Sequence, residues 1–143
     1  MVIALLAVLG VDLIVIAVFV GVVLGRRRWV SHQPGAFAGI AQVLDGDVHP
    51  LGHRARRGYG RWVRDVLVWT PGPLCLRNAL APIDRVDGDP APAAEHVRRL
   101  GDNPQTVTVV GDDTRIRITV RSQDVPLVTA PFNQASTQDV RPA

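Results

Sequence analysis

Residues 106–121 read TVTVVGDDTRIRITVR, and this stretch decides the fold class. Two runs rich in Val, Ile and Thr flank Gly111-Asp112-Asp113, a short loop of turn-forming residues, so the pattern predicts an antiparallel hairpin with arms at 106–110 and 114–121. Side chains alternate faces along a strand, which puts Ile116, Ile118 and Val120 on one side of the second arm and Arg115, Arg117, Thr119 and Arg121 on the other. One face packs and one meets water, as in an antiparallel sheet rather than a parallel sheet covered on both sides.

Short runs of the same kind recur upstream, separated by Gly, Pro and Asp clusters: residues 37–44, 59–64, 66–70, 74–78 and 81–86. In 59–64, Tyr59, Arg61 and Val63 share one face and Gly60, Trp62 and Arg64 the other. Residues 87–104 read as a long Pro- and Asp-rich connection, with 93–100 able to form two helical turns. Downstream of the hairpin, residues 122–132 open on a capping-type Ser and carry Val125, Val128 and Phe132 at helical spacing, while Pro126 and Pro131 limit the helix to a few turns. Residues 133–143 read as a disordered tail. The prediction is a mainly-β (β+α) domain over residues 36–132: an antiparallel roll or sandwich of about seven strands closed by a short C-terminal helix. The pleckstrin-homology-like superfold has this order of elements, and the likeness is a fold-level analogy.

The N-terminus obeys different rules. Of residues 1–25 all are apolar or Gly except Asp12. A helix of that length reaches roughly 37 Å at 1.5 Å per residue, enough to cross a hydrocarbon core of about 30 Å. A cleaved signal peptide fits worse, because no basic segment precedes the apolar run and Arg26-Arg27-Arg28 stands where cleavage would fall. Arg flanks stay on the cytoplasmic side, so the expected topology is a single pass through the cell membrane with Met1 outside and the β domain in the cytoplasm. Residues 26–35 then form a basic juxtamembrane segment with Trp29 at headgroup level. Asp12 falls near the bilayer midplane, where an acid costs roughly 2.5–3.5 kcal/mol and calls for a polar partner on another helix. Gly21 and Gly25 form a G-x-x-x-G on the opposite side, suited to close helix packing.

All 16 basic residues are Arg, against 13 acids. Eight of them lie in residues 26–64 with only Asp45 and Asp47 to offset them, whereas the chain beyond is acidic overall. That distribution, with few aromatics, argues against nucleic-acid binding and for a membrane-facing cluster of Arg54, Arg56, Arg57, Arg61 and Arg64 with Tyr59 and Trp62. Cys75 is the sole cysteine, so no intrachain disulfide or Cys-based zinc site is expected. His49 and His53 have the spacing of a helical metal pair, but Pro50 and Gly52 between them disfavour the helix. Asp45-Gly46-Asp47, Asp87-Gly88-Asp89 and Asp112-Asp113 lack the remaining ligands of a calcium loop and read as turns. No nucleophile motif is present, and no cofactor is called for.

Taken in order, Arg26-Arg27-Arg28-Trp29, Pro34-Gly35-Ala36-Phe37, Tyr59-Gly60-Arg61-Trp62, Asp65-Val66-Leu67-Val68-Trp69, Leu76-Arg77 and Ile83-Asp84-Arg85-Val86 resemble the actinobacterial single-pass membrane proteins grouped as domain of unknown function family 2550, nearly end to end. The resemblance implies a membrane-anchored cytoplasmic domain without assigned activity. The two prolines and missing Trp in 124–132 depart from that family's regular closing helix. The function expected is a non-catalytic accessory or scaffold domain that binds a protein partner at the cytoplasmic membrane face. Arg26, Arg27, Arg28, Trp29, Arg54, Arg56, Arg57 and Arg61 would contact lipid, and Asp12, Gly21 and Gly25 an intramembrane partner. The alternatives are an anionic-lipid or small-ligand binding domain, or a small enzyme with an unrecognised site.

Overall fold

A computed structural model gives the structure, described for residues 1–93, 100–101 and 103–138, the last four as backbone. It opens with helix α1 (Val2–Ser31), in which every residue from Val2 to Gly25 is exposed or nearly so and only Val30 is buried. This one helix is long and apolar enough to span a membrane. It does not stop at Gly25. Arg26, Arg27 and Arg28 continue it, so the basic segment expected as a separate joint is its last turns. The end is closed by the Ser31 hydroxyl, which donates to the Arg28 carbonyl at 2.9 Å, and Gly35, at φ +74°, turns the chain into the first strand.

Among the described residues seven strands follow: β1 (Phe37–Asp45), β2 (Arg56–Val63), β3 (Val66–Pro71), β4 (Ala79–Pro82), β5 (Arg85–Pro92), β6 (Pro104–Val110) and β7 (Arg115–Arg121). All pairings are antiparallel and the order is β4-β3-β2-β1-β7-β6-β5. The strands at the two ends of this order, β4 and β5, are joined only by Ile83 and Asp84. The Ile83 amide donates to Asp65 and the Asp84 amide to Val110, both at 2.9 Å, so two consecutive residues tie the ends together and the sheet must roll up.

The hairpin of residues 106–121 forms as expected, with Ile116, Ile118 and Val120 fully buried and Arg115, Arg117 and Arg121 exposed. They meet Val107, Val109, Val43, Leu67 and Trp69 in one core. Gly60 makes room for the largest side chains, since a Cβ there would lie 2.6 Å from the Phe37 ring and 2.9 Å from that of Trp69. Helix α2 (Val125–Gln138) closes one end of the roll. Val128 is fully buried, Trp62 Nε1 donates to its carbonyl at 3.0 Å, and the Trp62 and Phe132 rings meet edge to face.

Several expectations change. Residues 74–78 are not a strand: prolines at 71 and 73 withhold amide donors and Cys75 takes φ +54°, which breaks the alternation. The expected strand over 81–86 is two strands that part at Ile83 and Asp84. Asp87-Gly88-Asp89 lies within β5, where the register shifts, with Gly88 at φ +78°, and is not a turn between strands. The helix expected to end at Phe132 continues to Gln138, so the tail expected from residue 133 is helical to that point. Pro126 sits in its first turn, where no amide is needed, and the buried Val128 and half-buried Phe132 hold the turn around Pro131. The helical turns expected in 93–100 fall mostly on residues outside those described, as does the tail beyond 138.

Candidate functional site

The last turns of α1 lie on the outer face of β2 and β3, and this contact organises the surroundings. In β3, Leu67 and Trp69 point into the core while Val68 and Thr70 face outward, yet all four are buried. The outward pair borders a hollow of about 210 Å³ shared with Arg26, Trp29, Val30, Tyr59 and Arg61. The helix therefore covers a strand that would otherwise show apolar surface to water. Arg26 Nε donates to the Cys75 carbonyl at 2.5 Å, and Arg27 Nε to the Tyr59 hydroxyl at 3.4 Å, tying one helical turn to two separate parts of the domain.

Beside this contact opens a larger cleft of about 570 Å³. Its walls come from Arg27 of α1, Arg56, Arg57 and Tyr59 of β2, Ala38 and Ile40 of β1, Arg121 of β7, and the loop with Pro73 and Cys75. Strand register explains the assembly. Ala38 pairs with Tyr59 and Ile40 with Arg57 on one side of β1, while Ile40 pairs with Thr119 on the other, so Arg121 reaches the same outer face from the far neighbour. Among the described residues, four guanidinium groups line the cleft and no carboxylate does. Arg121 Nε keeps an ion pair with Asp124 at 3.7 Å on its flank, whereas Arg56 and Arg57 have no ion pair among the described residues.

The basic cluster expected from sequence is thus divided. Arg27, Arg56 and Arg57 meet at the cleft; Arg26 and Arg61 line the smaller hollow under the helix with Trp29. Arg28 and Arg54 are exposed and line neither, and Arg64 turns the β2–β3 hairpin at φ 59°. Trp62 faces inward toward α2 and is no part of the site. Arg121 was not among the expected residues: its outward direction is legible in the alternation of β7, but its partners depend on β7 lying against β1. Asp12, Gly21 and Gly25 all stand exposed on the projecting part of α1.

Cys75 is buried in the cleft wall with its Sγ 4.0 Å from the Pro73 carbonyl, and burial pushes the thiol pKa up, partly opposed by the charges of Arg27 and Arg26. An elevated thiol pKa disfavours the nucleophilic thiolate. His53 Nδ1 donates to the Val43 carbonyl at 3.1 Å, which uses the ring to hold the loop between β1 and β2. What the arrangement does chemically is to present fixed positive charge and hydrogen-bond donors to an anion. Compared with protein-family models, curated proteins and solved structures, the chain matches none.

Proposed function

We propose that the chain is a single-pass, membrane-anchored, non-catalytic accessory domain whose cationic cleft rests on the phosphates of anionic lipid. The observation that carries this reading is the position of the cleft: one of its four guanidinium groups, Arg27, is two residues beyond the apolar run of α1. The interfacial layer on each side of a hydrocarbon core is roughly 5–7 Å deep, about one helical turn. With residues 1–25 in the bilayer, Arg27 lies within that layer and brings the cleft with it. Each Arg there adds about 1 kcal/mol of attraction to an anionic leaflet, and a guanidinium pairs with phosphate through two parallel hydrogen bonds.

The proposal includes the cytoplasmic placement of the domain, supported by Arg26, Arg27 and Arg28 at the end of the span. It also includes the kinship with the actinobacterial family and the pleckstrin-homology-like assignment, which rests on seven strands followed by a closing helix. A protein partner is the complementary part, with two contact regions: Asp12, Gly21 and Gly25 within the membrane, and a groove of about 600 Å³ on the outer face of β5, β6 and β7. Asp87, Asp89, Thr106, Thr108 and Arg117 line that groove with both signs of charge.

The test is native mass spectrometry of the full-length protein released from phosphatidylglycerol-containing membranes in mild detergent. The wild type is expected to retain phosphatidylglycerol and the Arg56→Gln/Arg57→Gln variant to lose it. Equal retention by both, or none by either, overturns the lipid assignment; a stoichiometric protein found in place of lipid moves the cleft to that partner.

A further inference from the structure

The loop over residues 72–78 carries Leu74 and Leu76 at 42% and 55% exposure, on either side of the buried Cys75. Two large apolar side chains held outward by an ordered loop are a cost to a domain surrounded by water. Their location gives the reason. The backbone between them is bound to α1, because the Cys75 carbonyl accepts from Arg26 Nε at 2.5 Å, and Arg26 is the first residue after the apolar run. The loop is therefore pinned beside the point where the helix leaves the hydrocarbon. Trp29, 63% exposed on the same last turns of α1, and Arg77, exposed beside Leu76, are residue types that sit at headgroup level.

We infer that residues 72–78 form a second membrane contact, in which Leu74 and Leu76 enter the boundary between headgroups and acyl chains of the leaflet that α1 leaves. The inference rests on the reading of α1 as a membrane span. A bilayer is the occupant the structure favours, since α1 supplies the surface and the loop is fastened to its foot. The consequence concerns the cleft. Gly72, Pro73 and Cys75 are part of its wall, so a seated loop fixes the rotation of the domain about α1 and keeps Arg56 and Arg57 turned toward lipid phosphate.

The experiment places an environment-sensitive nitrobenzoxadiazole label on full-length protein in phosphatidylcholine–phosphatidylglycerol vesicles, at Leu76→Cys, Val63→Cys or Val15→Cys in separate preparations. Cys75 is buried, and the wild type treated alike gives its background. Val63 is a control for the affinity of the dye itself, being 48% exposed at the other end of β2, roughly 20 Å along the strand from Arg57. The expected result is blue-shifted emission at position 76, quenched by lipids with a nitroxide near the headgroup and little by those with one near the chain end. Position 15 is expected to show the reverse preference and position 63 no quenching. Aqueous emission at 76 with deep quenching at 15 overturns the loop contact and leaves the anchor standing; aqueous emission at 15 overturns the anchor. A blue shift at 76 without quenching by either lipid also overturns the inference, because the shielding then comes from protein.

Discussion

Arg26 Nε and the carbonyl of Cys75, 49 positions apart in sequence, are 2.5 Å from one another, and through them the foot of the long apolar helix grips the loop after β3. A hydrogen bond from a charged donor contributes about 1.5–3 kcal/mol, and its loss leaves the loop to open independently of the core. Arg26→Gln is expected to raise deuterium uptake at the Gly72 amide, which donates to the Arg57 carbonyl at 2.9 Å where this loop begins, by roughly tenfold or more, in line with a bond of that strength, while β1 and β7 stay protected. Unchanged uptake in the loop would show that packing alone holds it.

Trp62 joins β2 to the closing helix twice, by its Nε1 donation to Val128 and by its ring against Phe132. Trp62→Phe keeps much of the ring contact and removes the donor, so the bond from β2 to the Val128 carbonyl is lost. The expected destabilisation is about 0.5–1.5 kcal/mol. In a domain of this size each kcal/mol lowers Tm by roughly 4–8 °C, so calorimetry of the detergent-solubilised protein reads it directly. Trp62→Ala should cost more, since it also empties the space that the indole fills.

Gly60 and Phe37 share one volume. A Cβ on residue 60 would enter the Phe37 ring, so Gly60→Ala is expected to cost about 1–3 kcal/mol by overpacking. If the clash with that ring is the cause, combining it with Phe37→Leu should cost less than the two changes summed, with a coupling of about 0.5 kcal/mol or more. Strict additivity in unfolding experiments would instead assign the strain to Trp69, whose ring is 2.9 Å from the same point.

These particular residues show why the fold was legible and the site only partly so. The alternation in 106–121 and the uniform apolarity of 1–25 are local signals, and the structure follows both. Where the reading failed, a local pattern met a nonlocal bond. Leu74 to Asn78 alternate like a strand, but the Cys75 carbonyl is engaged by Arg26 and Pro73 has no amide to donate to a ladder. Residues 81–86 look continuous because nothing in them signals that Ile83 bonds to Asp65 and Asp84 to Val110. The cleft has the same character. Arg56 and Arg57 were visible as a basic run, whereas Arg121 joins them only through the placement of β7 beside β1. Pairing between strands far apart in sequence is the information that a single sequence carries least plainly.

The Cys75 thiol ties stability to pH with a definite sign. Burial raises its pKa in the folded protein above the value of about 8.5 in an unfolded chain. Below pH 8.5 both states hold the proton and the group contributes no pH dependence. Above it the unfolded chain releases the proton while the folded protein retains it, so the unfolded state gains relative free energy and stability falls as pH rises, up to the folded pKa. The limiting slope from one such group is about 1.4 kcal/mol per pH unit. Urea unfolding of the detergent-solubilised protein at pH 7, 8, 9 and 10, beside Cys75→Ala, isolates it. Alanine meets the same φ of 54° that Cys75 already adopts, and it carries no titrating group. The expected result is a wild-type midpoint that falls more steeply than the variant's above pH 8.5, with parallel behaviour below; parallel curves throughout would mean that Arg26 and Arg27 cancel the effect of burial.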